Sequence, residues 1–264
     1  YENSVAGIYR STPQGRFTSV NLALAKMLRY DSPEDLVRTI TDIASQIYAD
    51  PEDRRRFQQA IAQKGRVDRF EFKACCKDET QIWLSTSTRA YFDQNGQITH
   101  YEGISIDVTD SLRAEELTQI RMRLLECAQS QSLDDLLSHT LNEAEQLVNS
   151  PVSFFHFVGQ DQKSLKLQAW STATLEKFCQ AKGKGLHYDI NQAGVWVDCV
   201  RQRRPVIHND YDSLPHKKGM PEGHATLIRE LVVPVFREDR IVAILGVGNK
   251  PKEYTDQDVE SVTR

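Results

Sequence analysis

Residues 110–131 read DSLRAEELTQIRMRLLECAQSQ, a run without a single Gly or Pro. Leu117, Ile120, Leu124 and Cys127 recur in it at 3-4-3 spacing, the seam of two heptads. The stretches on either side carry strand-and-turn patterns instead. A long helix between two such stretches divides the chain into residues 1–110, a linker helix at 111–131 and residues 132–264. At 264 residues the chain is long enough for two domains of ordinary size. A domain of half that length can bury roughly two-thirds of its unfolded surface. Two readings of the helix stay open at this point: a connector packed on its own domain, or one strand of a dimeric coiled coil.

The first stretch opens with two strand-like pieces, Gly7–Arg10 and Phe17–Val20, around the turn signal Pro13-Gln14-Gly15. Leu22, Ala25, Met27 and Leu28 predict a short helix. Ser32-Pro33-Glu34-Asp35 and Asp50-Pro51-Glu52-Asp53 each line up a capping side chain, a proline suited to the first helical position and acids suited to the positive helix end. The second of these opens a helix that runs to Lys64 and stops at Gly65. Three strands follow, around Phe70 and Phe72, over Ile82–Phe92, and around Ile104, Ile106 and Val108. Lys77-Asp78-Glu79 and Asp93-Gln94-Asn95-Gly96 join them in hairpin fashion.

In the last stretch, Ser132 to Asp135 has the form of a capping box with Asp in the Glu position, opening a helix to Asn149 that Ser150-Pro151 stops. Strands are predicted at 152–158, 164–170, 185–190, 205–208, 230–237 and 241–248, with a helix around 192–203. Thr255-Asp256-Gln257-Asp258 caps a final helix. The predicted fold class is α+β: two domains, each a central antiparallel β-sheet flanked by helices, joined by a long helix.

Charge and composition exclude several classes. The chain has 33 basic and 37 acidic residues, a formal charge of −4, so no basic excess asks for nucleic acid or an anionic membrane. No apolar run approaches the roughly 18 residues of a membrane span, and the start lacks a signal-peptide pattern. The cysteines, Cys75, Cys76, Cys127, Cys179 and Cys199, form no CxxC pair. As neighbours on a strand, Cys75 and Cys76 point to opposite faces. This is the pattern of reduced thiols in a cytoplasmic protein. The sequence starts at Tyr1 and stops at Arg264 inside a helical pattern, which predicts a fragment of a longer protein with its last helix cut short.

Residues 1–110 resemble a PAS sensory domain. The resemblance rests on ENSVAGIYRSTPQGRFTSVNLALAKMLRYDSPEDL, with Asn21 before the first helix and Tyr30-Asp31 after it, and on the closing YEGISIDVTD, where Asp107-Val108-Thr109 passes into a signalling helix. Two positions depart from the family pattern: Arg29 and Glu79 stand where glycine is usual. Residues 132–264 resemble a GAF domain, most like those of bacterial sensor histidine kinases and related signalling proteins. Here the residues are GVWVDCVRQRRPVIHNDYDSLP, then PEGH, then RELVVPVFREDRIVAILGVGNKPKEYTDQDVE. The resemblance implies the sensory module of a bacterial signal-transduction protein, non-catalytic itself, relaying through helices to an output domain outside the fragment, such as a histidine kinase of a two-component system or a diguanylate cyclase. It also implies a small-molecule ligand in the GAF pocket, the PAS pocket or both, and a homodimer through the helix 110–131. The cofactor stays unidentified.

Individual cofactors can be weighed on the residues. The helix Pro51–Lys64 has no histidine, which disfavours the usual ligation of haem in a PAS domain, and no NCRFLQ-like motif supports a LOV-type flavin site. Tyr9, Phe57, Phe70, Phe72 and Trp83 read as ordinary core, or as core that also walls a pocket. Bilin attachment in a GAF domain uses a Cys followed by His, whereas Cys179 precedes Gln and Cys199 precedes Val. Asn249-Lys250 followed by Tyr254-xxx-Asp258 partly matches the cyclic-nucleotide GAF signature, which implies a bracing ion pair between Lys250 and Asp258.

The stretch PVIHNDYDSLPHKKGMPEGHA, residues 205–225, holds most of the polar chemistry. His208 and Asp210, two apart on a strand, are expected on one face. With His216 or His224 they would make a two-His-one-carboxylate metal site. The pattern is equally that of turn residues that cap loops. The GAF resemblance favours a ligand pocket walled by Trp196, His208, Asp210, Tyr211, His216, His224 and Arg229, with no catalytic and no metal-binding residue assigned. Lys217, Lys218 and Arg229 would suit a negatively charged ligand. Two alternatives remain: a metal- or thiol-dependent enzyme activity in that pocket, or a ligand-free dimerisation scaffold.

Overall fold

Helices begin where capping side chains stand. The computed structural model describes residues 4–177, 187–190, 193–215, 217 and 226–263. The chain separates into two compact units, residues 1–115 and 116–264. In the first, strands β1 (Gly7–Ser11) and β2 (Phe17–Val20) are followed by helices α1 (Leu22–Met27), α2 (Pro33–Thr39), α3 (Ile43–Gln46) and α4 (Pro51–Lys64). Strands β3 (Arg66–Cys75), β4 (Gln81–Phe92) and β5 (Ile98–Asp107) complete an antiparallel sheet in the order β2-β1-β5-β4-β3. Asn21 caps α1 by accepting from Leu24 N–H at 3.1 Å, and it ties the helix to β1 by accepting from Ile8 N–H at 2.9 Å. Ser32 and Asp50 cap α2 and α4 with proline at the helix start, as expected. Gly65 ends α4 in the left-handed conformation. Leu24, Leu28, Leu36, Ile40, Phe72 and Leu84 form the heart of this unit's core.

Arg29 and Glu79, the two residues standing where the family has glycine, take left-handed backbone at φ 61° and φ 64°. The turn geometry is therefore kept without the residue that adopts it at least cost. An ion pair from Arg29 to Asp78 joins the two turns.

Helix α5 (Thr109–Ser130) starts in the first unit and runs on into the second. Ile120 and Cys127 are buried, Leu117 and Leu124 half-buried, whereas Met122 and Leu125 are 58% and 63% exposed. Half of the 3-4-3 seam is thus buried within the single chain, as in a connector packed on its own domain. Spacing alone does not show this, because an inward stripe and a coiled-coil seam share one period.

In the second unit, α6 (Leu133–Val148) opens on the expected reciprocal capping box between Ser132 and Asp135. Strands β6 (Val152–Val158) and β7 (Ser164–Trp170), helix α7 (Thr172–Lys177) and strand β8 (His187–Asp189) follow. The helix expected over 192–203 is shorter: a 3-10 turn at Val195–Val197, then α8 (Asp198–Gln202), ended by Arg203 at φ 54°. Strands β9 (Val206–His208), β10 (Glu230–Arg237) and β11 (Arg240–Gly248) and helix α9 (Asp256–Thr263) complete an antiparallel sheet ordered β8-β7-β6-β11-β10-β9. One apolar cluster joins α6 and α9 to the sheet through Leu141, Val148, Leu231 and Val247, and another joins α8 through Val197, Cys199, Val232 and Ile244. No described helix is long and apolar enough to cross a membrane.

Candidate functional site

In the second unit β9 pairs with β10 so that His208 faces Glu230 directly. The side chains meet as well: His208 Nδ1 lies 2.9 Å from Glu230 Oε1. The other edge of the ring, Nε2, is 3.6 Å from Asp198 Oδ2 at the start of α8, and Arg201 donates to Asp198 at 2.7 Å. A histidine thus sits between two carboxyls. Glu230 has no exposed surface, and its Oε2 is buried with no hydrogen-bond partner. Burial raises its pKa above the ordinary carboxyl range, and the hydrogen bond to His208 works against that rise. The cluster can hold and share a proton in a dry setting.

The expected site residues part company around this cluster. Asp210 is exposed and caps a turn, accepting from Ser213 N–H at 3.3 Å. The inward pairing of His208 with Asp210 is therefore corrected: the strand ends at His208, so the alternation that would have placed both on one face stops there. Tyr211 is buried with Val195 and Leu227. Trp196 packs edge-on to Phe154 at 5.9 Å and lies 4.6 Å from the His156 ring. Arg229 donates to the Lys250 and Pro251 carbonyls at 2.7 and 2.8 Å, and Lys217 donates to Asp212 at 2.7 Å. Those two cations are thus engaged in bracing loops. His216, His224, Lys218 and Cys179 lie outside the described residues, as does the PEGH stretch. Among the described residues no three His, Cys, Asp or Glu side chains are grouped to hold a metal ion. Lys250 and Asp258 form the bracing ion pair, at 2.6 Å.

Burial, with Glu230 and Asp198 adding to it, pushes the Cys199 thiol up to about 12. That disfavours thiolate chemistry at this residue. Asp198 and Glu230 complete the cluster, yet sequence reasoning did not select them as site residues. The available sign was a lone acid, Glu230, at the head of the apolar run Leu231–Val235.

The first unit holds a cavity of about 30 Å³ between its sheet and helices. Tyr9, Tyr48, Arg54, Phe57, Thr88 and Ser105 contribute to its wall. Of the aromatics expected there, Tyr9, Phe57 and Phe72 line it. Phe70 instead packs edge-on to Phe57 at 5.6 Å, and Trp83 lies 5.3 Å from Lys73 Nζ. Beside the cavity the chain passes from β5 into α5. There the Trp83 N–H donates to Thr109 Oγ1 at 2.8 Å, and Asp107 Oδ1 accepts from Thr109 N–H at 2.9 Å. Thr109 thereby fixes the helix start to both β4 and β5.

Comparison with known proteins places these features in families. The PAS domain family model matches residues 4–110, and the GAF domain model matches residues 130–264. The chain is 32% identical over 272 residues to the methyl sulfide methyltransferase-associated sensor of Methanosarcina acetivorans. That match takes in 100% of this chain and 27% of the relative, so the chain spans about a quarter of that protein's length. Among solved structures, the GAF domain of a phosphoenolpyruvate-protein phosphotransferase from Coxiella burnetii is 14% identical, with a TM-score of 0.48, over 57% of this chain and 86% of that one. A PAS domain from Colwellia psychrerythraea is 18% identical, with a TM-score of 0.36, over 42% of this chain and 92% of that one. With the GAF model matching half of its length and the PAS model most of the rest, the chain belongs to the GAF domain family and carries a PAS domain ahead of its GAF domain.

Proposed function

We propose that this chain is the sensory module of a longer cytoplasmic signalling protein. A small ligand occupies the PAS cavity, the packing of β4 and β5 changes around it, and α5 carries the change onward to an output domain such as a kinase or cyclase. The GAF domain contributes a second sensing centre built on His208, with Trp196 and Tyr211 nearby. The chain pairs as a homodimer along the free face of α5, where Met122 and Leu125 stand exposed. The observation that carries this reading is the joint at Thr109: one side chain holds the first residue of the long helix to the strand that lines the cavity. A helix so anchored follows any shift of those strands, which is the kind of packed two-state element that transmits binding energy.

Filling the cavity from within tests this without knowledge of the ligand. Ser105 is 3% exposed, lines the cavity and lies four positions before Thr109. The Ser105→Leu variant puts a branched side chain into that space. Hydrogen exchange read by mass spectrometry is expected to change in residues 109–130 relative to wild type. A folded variant whose exchange changes in β4 and β5 but not in α5 contradicts the relay.

A further inference from the structure

We propose that the PAS cavity is a receptor site for a small monocarboxylate, bound head-first to the guanidinium of Arg54. The proposal rests on the reading of this domain as a ligand sensor and adds the chemical class of the ligand.

Arg54 lies in the first turn of α4, with Arg55 and Arg56 beside it. Those two pair along the helix surface with Glu52 and Asp53. Arg54 turns toward the cavity instead: its guanidinium carbon lies 5.4 Å from the ring centroids of both Tyr48 and Phe57, which line it. Aromatic faces suit a planar, weakly hydrated cation, and the Tyr48 side chain also takes a hydrogen bond from the guanidinium. Its Nε is buried and has no hydrogen-bond partner. An orphaned donor on a charged group is a costly thing to leave in a core. Nε and a terminal nitrogen together form the fork that a carboxylate accepts in two parallel bonds.

The neighbouring acids do not serve that fork. Asp42 is taken up by Ala44 N–H at 2.9 Å and the Ser45 hydroxyl at 2.6 Å. Arg54 acts on Asp42 through charge alone, the weakest of the causes that hold its carboxyl low. Asp53 is held by Arg56 at 2.9 Å.

The rest of the wall limits the ligand's other end. The Tyr9 hydroxyl is 2.7 Å from Thr88 Oγ1 and 3.3 Å from Thr86 Oγ1, and Ser105 donates to Thr86 at 3.1 Å. Gly103 makes room for this tyrosine, since a Cβ there would lie 2.4 Å from its ring. These hydroxyls are neutral, and Arg54 is the one charged side chain in the described lining. A second carboxylate would enter with no cation to meet it. A short tail, apolar or bearing one hydroxyl or keto oxygen, meets aromatic and aliphatic surface and this hydroxyl floor. The volume of about 30 Å³, room for one or two waters, restricts the ligand to a few heavy atoms.

Isothermal titration of the whole chain with formate, acetate, propionate, lactate and pyruvate tests this, alongside acetamide and lactamide as uncharged counterparts. At least one carboxylate is expected to bind, with its amide at least tenfold weaker. Arg54→Gln is expected to weaken that carboxylate at least tenfold, with Arg54→Lys falling between. The proposal is overturned if no carboxylate binds, if an amide binds as tightly as its acid, or if Arg54→Gln binds like wild type. Should Arg54→Gln fail to fold, the acid–amide comparison on wild type still decides. A neutral molecule in the cavity would sink the carboxylate and leave the sensor reading standing, because the Ser105→Leu exchange experiment judges that reading separately.

Discussion

Glu230 brings an ionisable carboxyl to a position with no exposed surface, facing His208 and within the field of Asp198. Its raised pKa has a definite consequence for stability. The unfolded chain releases this proton near the ordinary glutamate value, about 4.3, while the folded chain keeps it to higher pH. The folded state therefore binds the proton more tightly, and its stability falls as pH rises above that value until the folded pKa is passed. Glu230→Gln removes the titration while leaving a hydrogen-bonding group for His208. Thermal unfolding from pH 4.5 to 8 is expected to show the variant gaining on wild type as pH rises. A difference that stays constant with pH contradicts the assignment. None of this was legible residue by residue. A lone acid at a strand start reads as an edge, and only the β9–β10 register reveals that it faces a histidine. Arg29 and Glu79 were legible as turn residues because the family pattern marks those positions, and both take the backbone that glycine would.

Among the elements, those with explicit start and stop chemistry match expectation most closely. Ser32, Asp50 and Ser132 cap helices that begin within a residue of where their side chains predict, since a cap is local physics. Helices α3 and α7, of four and six residues, were not anticipated, because neither is long enough to display a period. Helix α5 was legible as a helix, while its spacing left open which face is covered. Its seam residues Ile120 and Cys127 are buried in the single chain, and Met122 and Leu125 are the exposed apolar residues of the helix. Sedimentation equilibrium is expected to show a dimer whose dissociation constant rises at least tenfold, about 1.4 kcal/mol, in Met122→Asp/Leu125→Asp. A dimer unaffected by this change, or a wild-type monomer at high concentration, removes α5 as the interface.

At the scale of the whole molecule, two sensor domains follow one another and share one continuous helix across the boundary between their compact units. The domain order was legible from family patterns spread over many residues. The buried polar cluster and the cavity were not, because each is assembled from segments distant in sequence: Asp198, His208 and Glu230 in one domain, and Tyr9, Arg54, Thr88 and Ser105 in the other. Among its described residues, the loop stretch that looked richest in the sequence supplies His208 to the first of these. In the proposed relay, cavity occupancy reaches the helix through the Thr109 joint. The most direct measurement is a double-mutant comparison of hydrogen exchange in residues 110–130 for wild type, Ser105→Leu, Thr109→Val and the double variant. Ser105→Leu is expected to alter exchange in the helix when Thr109 is present and to have little effect there once Thr109→Val has removed the hydroxyl that accepts from Trp83. Equal responses in the two backgrounds would show that the joint carries no coupling and would rule out the relay.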